Sequence, residues 1–349
     1  MIPATHAVQR PADAKLLVID SLGDVKTLAR SRWTSFLRPG DLVIANDAAT
    51  LPASLTGRHA PTGAAVEIRL AGRASLDAED VTFQAVIFGD GDYRTRTEDR
   101  PPPPAVDAGD VIELGPLTAR IATILGHPRF VLLDFAGDAG GVWAGIARHG
   151  RPVQYAHMQE PLRLWDVWTA IAGAPVAFEP PSAGFILTWA ALRAIRARGA
   201  TFATVTHAAG LSSTGAAALD MRLPLPEPYR IAPATADALR RARRVIAIGT
   251  TVTRALEHAG RSGAVHAGTG LADQRIGADT KLEIVDAILS GTHEPDSSHY
   301  ELMRAFADDR ALARAAALMA QEGFRTHEFG DSVLIERRRS AARDRHHAA

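Results

Sequence analysis

The chain has 349 residues, 46% hydrophobic and 22% charged, enough for two domains and a sizeable core in a soluble globular protein. Its 39 basic and 39 acidic residues cancel, so overall charge announces no nucleic-acid partner, and any such contact needs a local basic patch. The lack of cysteine excludes disulfides, thiolate-held zinc, iron–sulfur clusters and thiol nucleophiles. With no leader pattern or membrane-length apolar run, a cytoplasmic enzyme with no membrane contact is expected.

Lys15 to Asp20 reads as a strand, followed by a turn at Gly23. Pro39-Gly40-Asp41 turns into Leu42-Val43-Ile44-Ala45, a second buried strand that ends at Asn46-Asp47. Polar residues at the carboxyl end of such a strand either meet a ligand or form the turn. From about 63 to 140 the texture changes. Ala65 to Leu70 alternates apolar and polar, and Val81 to Phe88, Thr118 to Leu125 and Arg129 to Phe135 do so less strictly. Short alternating strands between turns indicate a small antiparallel barrel or sandwich. Pro101 to Pro104 is a stiff polyproline loop.

After Gly141 helices and buried strands return. Thr188 to Arg198 is an amphipathic helix closed by Gly199, and Phe202 to Thr206 is a strand ending at His207. Pro233 to Arg244 reads as a helix carrying Arg240, Arg241, Arg243 and Arg244. With Arg193, Arg196 and Arg198 on the earlier helix, these offer phosphate-contacting faces or solvated helix surfaces. Val245 to Ile248 is a strand buried on both faces; Gly249 lets the chain turn, and Thr250 and Thr251 stand where a helix starts, with Thr a good N-cap. Such a turn exposes backbone N–H groups and two hydroxyls to a carboxylate, ribose or phosphate, or is an ordinary strand-to-helix junction. Tyr300 to Phe306 and Arg310 to Gln321 are helices, and Ser332 to Glu336 is a last strand. The expectation is a layered α/β domain (1–62 and 141–339) with an inserted small antiparallel β-barrel domain (63–140) and a disordered tail (340–349).

Six stretches, in order, resemble one family. Arg244 to Glu257 is similar to RVIAVGTTxxRxLE almost residue for residue. Gly40 to Arg58 resembles GDLLVxNDTRVIPARLxGR, with Asn46, Asp47, Pro52, Ala53, Leu55, Gly57 and Arg58 in register. Pro180 to Leu187 resembles APTAGLHF, and Thr206 to Gly210 the region VTLHVGAGTF. His293 to Phe306 is similar to HLPxSTLLMLVxAF, and Phe329 to Ile335 to YGDAMLI. By these motifs the chain is identified as a divergent member of the S-adenosylmethionine:tRNA ribosyltransferase-isomerase (QueA) family. It departs at Ala49, where the family has Arg, and at Ile186-Leu187, where it has His-Phe. Further departures are Gly291-Thr292 for Asn-Phe, Asp296 for Lys, and the loop Ala209 to Ser213.

The resemblance implies an α/β domain with an inserted β-barrel, and S-adenosylmethionine as ribosyl donor with no metal. The partner it implies is tRNA, bearing 7-aminomethyl-7-deazaguanine as acceptor; a monomer is expected. The sulfonium acidifies the neighbouring ribose CH₂, so a general base is needed, and adenine departure calls for a proton donor. His293 and His207 match family histidines and are the catalytic candidates, His293 as acid if Glu294 beside it raises its pKa. Asn46, Asp47, Ser182, Gly184, Gly249, Thr250, Thr251, Arg254, Glu294 and Asp331 are candidate substrate-binding residues. Of these, Arg254 would pair with the methionine carboxylate and Asp331 with a ribose hydroxyl. The altered loops leave two alternatives open: a relative with a small-molecule acceptor, and a non-catalytic nucleoside-binding protein.

Overall fold

Leu42 to Ala45 and Val245 to Ile248 are apolar throughout, and each strand sends alternate residues into two different cores. The computed structural model describes residues 1–293 and 297–338. Three sheet strands lie near the start of the chain: β1 (Lys15–Ile19), β2 (Val25–Ala29) and β3 (Asp41–Asn46). Six more follow: β4 (Ser54–His59), β5 (Ala65–Gly72), β6 (Thr82–Phe88), β7 (Val111–Leu114), β8 (Leu117–His127) and β9 (Phe130–Phe135). After helix α1 (Ala139–His149) come α2 (Trp189–Ala197), β10 (Thr201–His207), β11 (Glu227–Ile231), α3 (Pro233–Arg241), β12 (Arg244–Ile248) and α4 (Thr250–Ala259). The described chain ends with β13 (Gly268–Ala272), β14 (Ala287–Gly291), α5 (Ser298–Met303), α6 (Asp309–Gln321) and β15 (Ser332–Glu336).

Strands β4 to β9 close an antiparallel barrel in the order β8-β9-β6-β5-β4-β7. Nine others form a mixed sheet in the order β13-β11-β10-β3-β12-β14-β15-β1-β2, and two short two-stranded pairs, Ile2–Pro3 with Arg325–Thr326 and Ala49–Thr50 with Pro175–Ala177, lie apart from it. Its centre, β10-β3-β12-β14, is parallel throughout. Leu42, Ile44, Val245 and Ala247 pack with Val252, Ala255 and Leu256 of α4. Val43, Ala45, Ile246 and Ile248 pack on the other face with Ala191 and Ile195 of α2. The fold is therefore α/β with a closed six-stranded barrel. Among the described residues no helix is long and apolar enough to cross a membrane.

The barrel begins at Ser54, ahead of the expected boundary at 63. The segment Ser54–His59 lacks the β-branched run that marks a strand, and Gly57 interrupts it. That glycine is required: a Cβ on it would lie 1.9 Å from the Glu113 carbonyl oxygen of β7. At the neck of the barrel Ser54 and Arg151 pair backbone to backbone, with N–H···O distances of 2.9 and 2.8 Å. Alternation in β5 does not separate core from solvent. Val66, Ile68 and Leu70 fill the barrel core, yet Glu67 and Arg69 on the opposite face are buried too. Glu67 accepts from Ser54 Oγ at 2.8 Å, from Arg69 Nε at 2.8 Å and from Arg100. The Arg69 guanidinium lies over the Tyr155 ring, 5.5 Å from its centroid.

Helix α3 ends at Arg241, and Arg244 is not on it. Arg244 opens β12 and is held by Asp41 at 2.7 Å and Glu336 at 2.6 Å. The exposed Arg196, Arg198, Arg240, Arg241 and Arg243 sit where the chain runs into β10 and β12, at the amino edge of the parallel strands.

Candidate active site

The four parallel strands end side by side at Asn46, His207, Ile248 and Gly291, and their carboxyl edge is where a ligand crevice belongs. Asn46 holds this edge together. Its Oδ1 accepts from the N–H groups of Ala48 and His207, each at 3.0 Å, and its Nδ2 donates to the His207 carbonyl at 2.9 Å. Asp47 accepts from the hydroxyls of Thr204 and Thr206, both at 2.7 Å. Every polar atom of these two side chains is engaged inside the protein, so both position the edge, and neither lines the cleft.

The cleft above that edge encloses a cavity of about 100 Å³, smaller than the roughly 300–1,000 Å³ typical of small-molecule sites. Gly249, Thr250 and Thr251 line it, as do Ser182, Arg254 and His293. The helix cap differs from the expected one: Gly249 itself is the N-cap, at φ 98°, and Thr250 and Thr251 are the first helical residues. Their hydroxyls are thereby released from capping. The left-handed φ requires glycine, and a Cβ there would also meet the Ala183 Cβ at 3.3 Å. Gly184 lies behind the cleft wall, tight against Thr169.

Arg254 reaches the cleft, but its guanidinium turns to internal acceptors. It pairs with Glu227 and donates to the carbonyls of Ala272 at 2.9 Å, Leu225 at 3.3 Å and Gln274 at 3.3 Å. The expected pairing with a methionine carboxylate finds those donors committed. Burial pushes the Glu227 carboxyl up, against the pull of Arg254. His207 lies behind Glu227, fully buried and off the cleft, with Nε2 3.3 Å from Glu227 Oε2 in an alignment that makes no hydrogen bond. Burial and then the Arg254 charge depress its imidazole well below the usual range. Its expected role in proton transfer to substrate is therefore not supported by its position.

His293 is on the cleft. Its ring stacks on His299 at 4.4 Å and 7°, and its Nε2 lies 3.3 Å from Ser290 Oγ. Burial, then the neighbouring His299 and His327, hold it well below its ordinary 6.5. An imidazole depressed in this way is neutral near pH 7, so it does not hold the proton that the expected acid role calls for. Glu294, on which that expectation rested, lies outside the described residues, as does the 340–349 tail. Asp331 is also turned inward. Its Oδ1 accepts from the Lys15 N–H and its Oδ2 from the Arg325 N–H, both at 2.8 Å, so it closes a turn and does not line the cleft.

Two groups escaped the sequence reading. Glu179, just ahead of the Pro180 motif, lines the cleft and accepts from the Tyr155 hydroxyl, the Ser212 N–H at 2.9 Å and the Ser212 Oγ at 3.2 Å. Burial raises its carboxyl from 4.5 to about 7, with the Glu328 charge adding to the rise and the Tyr155 and Ser212 hydrogen bonds opposing it. A charged residue closing the apolar run Val176-Ala177-Phe178 was the available signal. The second is a group of three side chains that could hold a metal ion. His157, His327 and Glu328 bring one ligand atom each to within 4.8 Å of one another. Their separation in sequence hides them from spacing arguments.

Residues 2–335 match the queuosine biosynthesis protein family. Relatives named S-adenosylmethionine:tRNA ribosyltransferase-isomerase include that of Sorangium cellulosum, 31% identical over 96% of both chains. That of Citrifermentans bemidjiense is 31% identical over 95% of both. A crystal structure titled S-adenosylmethionine tRNA ribosyltransferase, from Thermotoga maritima, superposes with a TM-score of 0.50 at 21% identity over 96% of both chains, a likeness of fold. The chain belongs to the queuosine biosynthesis protein family.

Proposed function

We propose that this chain is a transferase-isomerase that moves the ribosyl part of S-adenosylmethionine onto 7-aminomethyl-7-deazaguanine in tRNA, yielding epoxyqueuosine, adenine and methionine. The observation that carries the reading is the pairing, in one cleft, of a neutral imidazole with a carboxyl that titrates near neutrality. Environments that push two titratable groups in different directions assign a base and an acid. His293 is the base for the ribose CH₂ beside the sulfonium. Glu179, still protonated in part near pH 7, is the donor to departing adenine. The Gly249-Thr250-Thr251 turn binds nucleoside hydroxyls or the methionine carboxylate through helix N-terminal N–H groups and the two freed hydroxyls. Ser182 adds a hydroxyl on the facing wall.

One observation favours a second reading, with a small acceptor in place of tRNA. The exposed arginines of α2 and α3 lie at the amino edge of the sheet, opposite the cleft, and do not form a phosphate track leading to it. Single-turnover adenine release from S-adenosylmethionine separates the two. The first reading expects release with tRNA carrying the aminomethyl base and none with the free base. Release with the free base alone selects the second reading, and no adenine release with either acceptor rejects both.

A further inference from the structure

We propose that His157, His327 and Glu328 form a binding site for a divalent transition metal beside the cleft. The proposal stands independently of the reaction assigned above. Two imidazoles and a carboxylate are the ligand set of many zinc sites and of other first-row metals, and they are a poor set for magnesium or calcium, which take oxygen ligands. The three residues arrive from two distant segments. His157 follows Tyr155 in a turn closed by the Met158 N–H to the Tyr155 carbonyl at 3.1 Å, with Met158 buried beneath it. His327 and Glu328 occupy the turn before buried Phe329, closed by the Gly330 N–H to the His327 carbonyl at 3.0 Å. His327 holds φ 68°, a left-handed conformation found at no other non-glycine among the described residues.

The geometry suits a shared ion. In a tetrahedral zinc site with bonds of about 2.0–2.1 Å, two ligand atoms stand roughly 3.3 Å apart. His157 Nε2 and Glu328 Oε2 are 3.1 Å apart, and the His327 nitrogen completes a set within 4.8 Å. The two imidazoles lie face to face, 4.1 Å between centroids and 11° from parallel. Three protein ligands leave a tetrahedral metal one open position for water or a substrate atom. The cluster adjoins the cleft: His327 lies close enough to His293, and Glu328 to Glu179 and His299, for their charges to be felt there. A dication at this place would be the largest local charge beside the reacting groups.

The test is metal binding by the full chain after treatment with a chelator, using Zn²⁺ in calorimetry and Co²⁺ in visible absorption. The proposal expects one Zn²⁺ per chain, the intense ligand-field bands of tetrahedral cobalt, and no comparable binding of Mg²⁺ or Ca²⁺. Loss of outer-shell partners alone weakens metal sites by about 10–100-fold, so His157→Gln with Glu328→Gln should weaken Zn²⁺ binding by more than about 100-fold. His346 and His347 near the carboxyl terminus are a competing source of imidazole. A variant with both changed to Ala must keep the site. Zn²⁺ affinity equal in the wild type and the His157/Glu328 variant, or binding that vanishes with His346 and His347, overturns the proposal. If the His157/Glu328 variant does not fold, the cobalt spectrum of the His346→Ala, His347→Ala protein decides alone: tetrahedral bands support the site and their absence rejects it.

Discussion

The Asn46 side chain grips the His207 main chain from both sides, accepting its N–H at 3.0 Å and donating to its carbonyl at 2.9 Å. The carboxyl ends of β3 and β10 are thereby held at a fixed offset, although β10 runs on past β3 toward the cleft loops. Both groups are buried, so their loss leaves main-chain polar atoms short of partners. Asn46→Ala should lower the unfolding free energy by about 2–4 kcal/mol, since unpaired buried groups cost roughly 1–3 kcal/mol each. Urea unfolding measures this, and a loss below about 1 kcal/mol would show that the latch is dispensable.

Glu179 gives the chain a defined pH response. Its folded value of about 7 lies above the ordinary 4.5, so the folded chain holds this proton more tightly than the unfolded one. The stability it contributes is fully present below about pH 4.5 and is lost as pH rises through about 7. That gap corresponds to at most roughly 3 kcal/mol. In Glu179→Gln the contribution is absent. Subtracting the variant's unfolding free energy from the wild type's should give a difference that falls across this window. The same variant should lose about 10²–10⁴-fold in single-turnover adenine release. A flat difference profile together with full activity would remove Glu179 from the site.

Three imidazoles, one fully buried and two half-buried at the cleft, pull the other way. His207, His293 and His299 are all depressed below 6.5, chiefly by burial. Their unfolded forms take up protons first as pH falls through 6.5, so the stability they contribute above that value is lost on acidification. His293→Gln should reduce this acid sensitivity while reducing adenine release by about 10²–10⁴-fold. Stability curves against pH that coincide for variant and wild type would mean that His293 titrates normally in the folded protein.

The Gly249 turn is sensitive to a single methyl group. Gly249→Ala forces a left-handed φ on alanine and brings its Cβ to 3.3 Å from Ala183 Cβ, which should cost about 1–3 kcal/mol of stability. Thr250→Val with Thr251→Val leaves the backbone alone. It should weaken S-adenosylmethionine binding by about 1–3 kcal/mol in total, from two hydrogen bonds of roughly 0.5–1.5 kcal/mol each. Calorimetric titration checks both, and unchanged affinity in the folded double variant would place the nucleoside elsewhere.

Strands with an unbroken apolar run were legible because they are buried on both faces, as Leu42 to Ala45 and Val245 to Ile248 are. Strand β11 was missed because Pro228 sits within it, and β13 because Gly268 and Gly270 do. The cleft was legible in part. Gly249, Thr250, Thr251, Ser182 and His293 reach it, whereas Asn46, Asp47, Gly184, His207 and Asp331 support it from behind. Sequence pattern places a residue at an edge and leaves open whether its side chain turns inward. Ile186, standing where the family has histidine, packs into the core with Val43 and Ile248 and does not line the cleft.

The paired Ser54 and Arg151 have a consequence for how such a protein is assembled. The chain leaves for the barrel and returns from it through one backbone doorway. Apart from the Ser54–Arg151 bridge, the six barrel strands pair with one another, and the nine-stranded sheet contributes no strand to them. An excursion whose two ends already touch adds little closure entropy to the host, because that term grows only with the logarithm of loop length. The barrel can lengthen, shrink or change its sequence without altering the register of β3 against β10. Variation in this cassette still reaches the cleft, because barrel residues such as Phe83 and Phe88 share one apolar core with Ala209, Leu211 and Leu223 of the cleft wall, and a Cβ on Gly210 would stand 2.9 Å from the Ala71 carbonyl oxygen.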